Sequence, residues 1–112
     1  FVAAVGAHQP TTREVDSATL QRASKRVIDS RADCLDQAGD FVIPIAEGVI
    51  GREQVSELAE VITGEKPARE RDDEITVYKS IGVPIQDLVT AQAIAQHAAK
   101  LGLGTEIDIG GD

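Results

Sequence analysis

Residues 73–87, DEITVYKSIGVPIQD, constrain the fold more than any other stretch of the chain. Ile75, Val77 and Tyr78 form a strand-like run, Lys79-Ser80 follow, Gly82 turns the chain, and Pro84 opens a helix. Proline suits the first helical turn because its missing N–H would find no partner there anyway. The result is a βα junction with polar residues at the carboxyl end of a strand. Ligands of open α/β sheets bind outside those carboxyl ends.

The same alternation runs through the rest of the sequence. Phe1–Val5 is a short apolar run ending at Gly6, as expected of a buried parallel strand. Asp16 or Ser17 can cap a helix over Ala18–Lys25, and Arg26–Ser30 has the look of a second buried strand. Ser30 can cap a short helix over Arg31–Ala38, with Gly39 as its stop. Pro44 marks Phe41–Ile45 as an irregular or edge segment, and Gly48–Gly51 as a turn follows. In Arg52–Thr63, Val55, Leu58, Ala59 and Ile62 recur at helical spacing, predicting one amphipathic helix. Glu65–Glu74 is charged and aperiodic, hence a solvated loop. Pro84–Leu101 is an alanine-rich helix stopped by Gly102, and Thr105–Ile109 alternates as a final strand would. Strands alternating with helices predict an α/β fold whose sheet is mostly parallel, with flanking helices.

The chain has 112 residues and a net charge of −8. An acidic surface argues against nucleic acid or an anionic membrane as the main partner, since both call for a basic face. The longest apolar run, Phe41–Ala46, is far too short to span a bilayer. A single cysteine, Cys34, excludes an internal disulfide and suits a reducing, cytoplasmic setting. One cysteine and two distant histidines give no zinc spacing, so no metal site is expected. The chain lacks methionine and starts within an apolar run, which leads us to expect a piece of a longer protein.

No glycine-rich dinucleotide fingerprint and no P-loop is present. Gly102 and Gly104 form only GxG after a helix, where the fingerprint must follow a strand. His97 lies inside the long helix and reads as an ordinary surface or partly buried side chain. His8 follows the first strand, in VGAHQP, so it sits at a carboxyl end where an imidazole can act as acid or base near neutral pH. Glu14 and Asp16 lie close enough in sequence to orient His8 or Arg13, or to face water. The hydroxyl of Ser80 can donate to a cofactor or cap the turn before the helix, and spacing does not choose between them.

Four ordered blocks together resemble the ornithine cyclodeaminase/mu-crystallin family. They are AVGAHQPTTREVD (Ala4–Asp16), VIDSRADCLDQAGD (Val27–Asp40), ELAEVITG (Glu57–Gly64) and DEITVYKSIGVPIQDL (Asp73–Leu88). The resemblance implies a two-domain protein with a Rossmann-like NAD(P)-binding domain and a second domain that binds substrate and forms a homodimer. This chain would be the carboxyl-terminal portion. Residues 1–82 would form the latter part of the Rossmann-like domain, and residues 83–112 the helix and strand returning to the substrate domain.

Position by position, the resemblance makes Val5 and Ala7 a lining of the nicotinamide side and Ser80 a cofactor contact. Gln37 falls where related proteins carry an acidic residue near the ligand. His8 falls where the cyclodeaminases carry a catalytic aspartate, and their DxPGK loop is replaced here by HQPTT. That departure points to the branch reducing cyclic imino acids such as Δ1-pyrroline-2-carboxylate or related ketimines, with NADPH placed ahead of NADH. The alternatives implied are an NAD-dependent ornithine cyclodeaminase, or a non-catalytic NADPH-binding protein like mu-crystallin.

Overall fold

A computed structural model describes residues 1–108 and 110. It divides into two compact units, Phe1–Gly82 and Val83–Asp112.

The first unit is built on a four-stranded sheet in the order β1-β4-β2-β3, formed by β1 (Val2–Ala4), β2 (Lys25–Ile28), β3 (Ser56–Glu57) and β4 (Thr76–Lys79). Every pairing is parallel, so each connection between strands must cross over through other structure. Successive strand residues face opposite sides of a sheet. The register sets Ala4, Ile28 and Lys79 in one row, with Val77 on the same face. Onto that face pack Leu20 of α1 (Ser17–Arg22), Cys34 and Leu35 of α2 (Arg31–Gln37), Phe41 of α3 (Gly39–Ala46), and Val55. The opposite face carries Val27, Thr76 and Tyr78. With Phe1 and Leu58 they line an open, wholly apolar cleft of about 280 Å³.

Three expectations are corrected. Arg52–Thr63 is not one helix. A 3-10 turn over Arg52–Gln54 leads into β3, and only Leu58–Ile62 (α4) is helical. Pairing of Ser56 and Glu57 with Val27 and Ile28, together with burial of Val55 in the core, overrides the helical spacing. Phe41–Ile45 is helical rather than irregular. Pro44 sits inside α3, and burying Phe41 and Pro44 one turn apart compensates for the hydrogen bond that proline removes. Gly39 begins α3 instead of stopping α2.

Capping agrees with expectation at α1 and differs at α2. Asp16 caps α1 through Thr19 N at 2.8 Å. Ser30 makes no side-chain cap: its hydroxyl donates to Asp33 at 2.9 Å. Instead Glu57, from β3, accepts the first amide of α2 at 2.6 Å. The charged loop 65–74 is mostly exposed but is not free. Lys25 pairs with Glu70 at 2.8 Å, and Glu74 is buried.

The second unit is α5 (Pro84–Leu101) and the residues after it. Pro84 stands at the helix start and Gly102 closes it in the left-handed conformation. Leu103 N returns to Ala98 O at 2.9 Å, completing the glycine stop. Ile85, Leu88, Val89, Ile94 and Leu101 are all exposed. Thr105–Asp108 form no strand, and Ile109, the end of the predicted one, lies outside the described residues.

Candidate functional site

The carboxyl ends of β1, β4 and β2 lie side by side, and the sequence puts a short polar segment after each. Ser80 N donates to Ala4 O at 3.1 Å, which brings the residue after β4 against the end of β1. Asp29, directly after β2, binds the turn that follows β4. Its Oδ2 accepts from Ser80 Oγ at 2.8 Å and from the amides of Ile81 and Gly82, each at 2.9 Å. Gly82 has φ +81°, a conformation that side-chain-bearing residues adopt at a cost. Ser80 Oγ also accepts from Gly82 N at 3.1 Å. The serine therefore caps the turn, its O–H is committed to Asp29, and one lone pair remains open.

The segment after β1 is held by a buried charge cluster. Lys79, the last residue of β4, is fully buried, since period-two alternation points it into the same face as Val77. Its ammonium lies 3.0 Å from Asp40 and 2.9 Å from Glu14. Asp40, at the start of α3 and also buried, accepts the amides of Glu14 and Val15 at 2.8 and 2.7 Å. Glu14 in turn accepts the amides of Gly6 and Ala7 at 2.8 and 2.9 Å. Loop 6–15 is thus tied at both ends. Its middle is tied too: Gly39 N donates to Gln9 O at 3.1 Å. A Cβ on Gly39 would collide with the carbonyl oxygens of Thr12 and Pro10, so only glycine fits this close approach.

The electrostatics follow from these contacts. Burial alone would lower the pKa of Lys79, but the hydrogen bond it donates to Glu14 and the negative charge of Asp40 outweigh it and raise it. The Lys79 hydrogen bond, then the Ala7 and Gly6 amides, lower the Glu14 carboxyl to about 2. Cys34 is pushed up to about 12 by burial and then by the charge of Asp29, which makes it a poor nucleophile.

Of the residues singled out in the sequence, Val5 and His8 are exposed and Ala7 is half-buried on the loop after β1. His8 Nδ1 lies 3.3 Å from Gly6 O. Ser80 is brought beside this segment by its bond to Ala4. Gln37 is exposed on the last turn of α2, two residues before the Gly39–Gln9 link to the same loop. Sequence reasoning left Glu14 undecided and passed over Asp29, Asp40 and Lys79. The one available signal was Lys79 sharing a sheet face with Val77, which buries an amine that then needs acidic partners. Among the described residues, no group of three His, Cys, Asp or Glu side chains is placed to hold a metal ion.

An all-parallel sheet with polar loops gathered at its carboxyl edge defines the class of open α/β proteins, whose ligands bind outside that edge. The chain belongs to the ornithine cyclodeaminase/mu-crystallin family, whose profile matches residues 1–101. It is 37% identical over 108 residues to Δ1-pyrroline-2-carboxylate reductase of Bacillus cereus, a match covering 96% of this chain and 33% of that protein. The Thermococcus litoralis Δ1-pyrroline-2-carboxylate reductase, solved with NADH and L-proline, superposes with a TM-score of 0.81 at 39% identity, over 94% of this chain and 32% of that one. An archaeal alanine dehydrogenase dimer with bound NAD superposes with a TM-score of 0.76 at 34% identity, over 96% of this chain and 33% of that one. The chain thus spans about a third of the length of the relatives it matches. Among the described residues no helix is long and apolar enough to cross a membrane.

Proposed function

We propose that the polypeptide containing this chain is an NAD(P)-dependent reductase of cyclic imino acids, and that this chain supplies the nicotinamide side of its site. The observation that carries the reading is the meeting of two strand-end segments, Val5–His8 and Ser80–Gly82, through the Ser80–Ala4 hydrogen bond. Its likeness to proteins reducing Δ1-pyrroline-2-carboxylate supplies the reaction class.

When bound, the nicotinamide supplies the hydride that reduces the imine carbon. The chain's own residues place and protonate. Val5 and Ala7 offer an apolar surface for the ring. Ser80 meets the carboxamide as an acceptor, because its O–H is already spent on Asp29. His8 acts as the acid that keeps the imine protonated, the form that best accepts hydride. Gln37 binds the substrate's polar groups. The structural relatives hold NADH and NAD, which favours NAD(H) over NADP(H) here.

The remaining assignments belong to the same proposal. Residues 1–82 are the later part of the cofactor domain, and α5, with its exposed apolar residues, returns to a substrate domain. The protein is a homodimer, a reading supported by the dimer of the archaeal alanine dehydrogenase, and works in the cytoplasm, where Cys34 stays a free thiol.

The test is reduction of Δ1-pyrroline-2-carboxylate by the whole polypeptide, followed as loss of reduced-nicotinamide absorbance, with NADH and NADPH in parallel. Turnover with NADH as the better donor is expected. Absence of any nicotinamide binding by calorimetry would sink the reading. Ammonia release from ornithine without net NADH consumption would replace it with cyclodeaminase chemistry. His8→Ala should lower kcat by roughly 100-fold while leaving the KM for NADH unchanged.

A further inference from the structure

The charge cluster beneath the site sets two carboxylates against the single ammonium of Lys79. Asp40, 1% exposed and 3.0 Å from the ammonium, already neutralises it. Glu14 adds a second negative charge from a side chain that is 39% exposed. Glu14 also accepts the ammonium's hydrogen bond at 2.9 Å. What Glu14 alone does is reach back across the loop to the two backbone amides that follow β1, at 2.8 and 2.9 Å.

Gly6 is part of this arrangement. A Cβ built on it would stand 2.7 Å from Glu14 Oε1, so the missing side chain lets the carboxylate lie directly against the backbone. The carboxylate is fixed at its other side by the Lys79 ammonium at 2.9 Å, and Lys79 is itself immobilised at the end of β4. The chain from Val5 to His8 is thereby referenced to β4, the strand that leads directly into Ser80.

We propose that Glu14, locked by Lys79, is a positioning residue that sets where the Val5–His8 segment stands relative to Ser80, and so how tightly the nicotinamide half of the cofactor is held. This rests on the reductase reading above. Glu14 touches neither cofactor nor substrate in this scheme and acts through the backbone it holds.

The experiment compares NADH with ADP-ribose, which shares the adenine and pyrophosphate but lacks the nicotinamide, by calorimetry on the whole polypeptide. Glu14→Ala removes the strap and leaves the Lys79–Asp40 ion pair, and unchanged ADP-ribose affinity reports that the domain still folds. Gly6→Ala displaces the strap from the other side. Each variant is expected to weaken NADH by about ten-fold, the size of a lost hydrogen bond to a charged group, and to leave ADP-ribose affinity unchanged. Equal loss for both ligands would mean general damage to the domain and would overturn the proposal, as would unchanged affinity for both. If the unsubstituted protein binds no NADH, the reductase reading fails and this inference with it. If it binds NADH and the variants match it, the strap alone is wrong.

Discussion

Lys79 is the residue on which the architecture of the strand ends depends. A buried ammonium is tolerated only when paired and hydrogen-bonded, and here the partners, Glu14 from the loop after β1 and Asp40 from the start of α3, are brought to it from distant segments. Removing Asp40 leaves a buried charge held only by the more exposed Glu14 and also strands two backbone amides. Asp40→Ala should therefore destabilise the fold by roughly 3–5 kcal/mol, read from chemical denaturation. Glu14 makes a different, pH-dependent contribution. Its folded pKa, about 2, lies below the ordinary 4.5, so between these values the unfolded chain binds more protons. Its stabilisation is complete above pH 4.5 and is lost as the pH falls towards 2. Stability of the unsubstituted protein should fall more steeply across that window than stability of Glu14→Gln. Cys34, buried and with its thiol pushed up to about 12, should resist alkylation by iodoacetamide at neutral pH until the protein is unfolded.

At the level of elements, local signals and tertiary partners compete, and the outcome depends on what each segment buries. α5 needed no partner to be readable: a proline start, a glycine stop and good helix formers agree, and its ends fall where the sequence puts them. β4 and β1 were legible for similar reasons. Segment 52–63 was not, because Val55 serves the core only when extended and β3 has just two residues with which to pair β2. The junction between α2 and α3 was misread at Gly39, where a helix stop and a point of close backbone approach both call for glycine. Gly39→Ala should separate these roles. An alanine is a good helix former, yet here its Cβ meets the Thr12 and Pro10 carbonyls, and a loss of about 1–3 kcal/mol is expected on thermal unfolding.

At the level of the whole molecule, the two faces of the sheet within Phe1–Gly82 are packed differently. α1, α2 and α3 supply the packed face, while Val27, Thr76 and Tyr78 line an open apolar cleft on the other. Parallel sheets are ordinarily covered on both faces. β1 also pairs on one side only, and unpaired strand edges invite association. The 112-residue chain on its own is therefore expected to self-associate, which sedimentation velocity over a concentration series would reveal as a rising mean mass. A concentration-independent monomer would contradict this.

The order of residues was enough to establish an α/β chain, a mostly parallel sheet, the βα junction at Ser80–Pro84 and the histidine after the first strand. Those conclusions rest on short-range properties: period-two runs, caps, glycine stops and proline starts act within a few residues of themselves. The clamp of Asp29 on the Ser80 turn and the joining of Glu14, Asp40 and Lys79 were decided only by folding. Their partners are separated by 51, 65 and 26 positions. With 19 acidic residues in the chain, nothing local marks which of them a buried lysine will meet. Parallel pairing supplies the answer, because it brings the carboxyl ends of distant strands to one edge and leaves their loops to satisfy each other's buried polar groups.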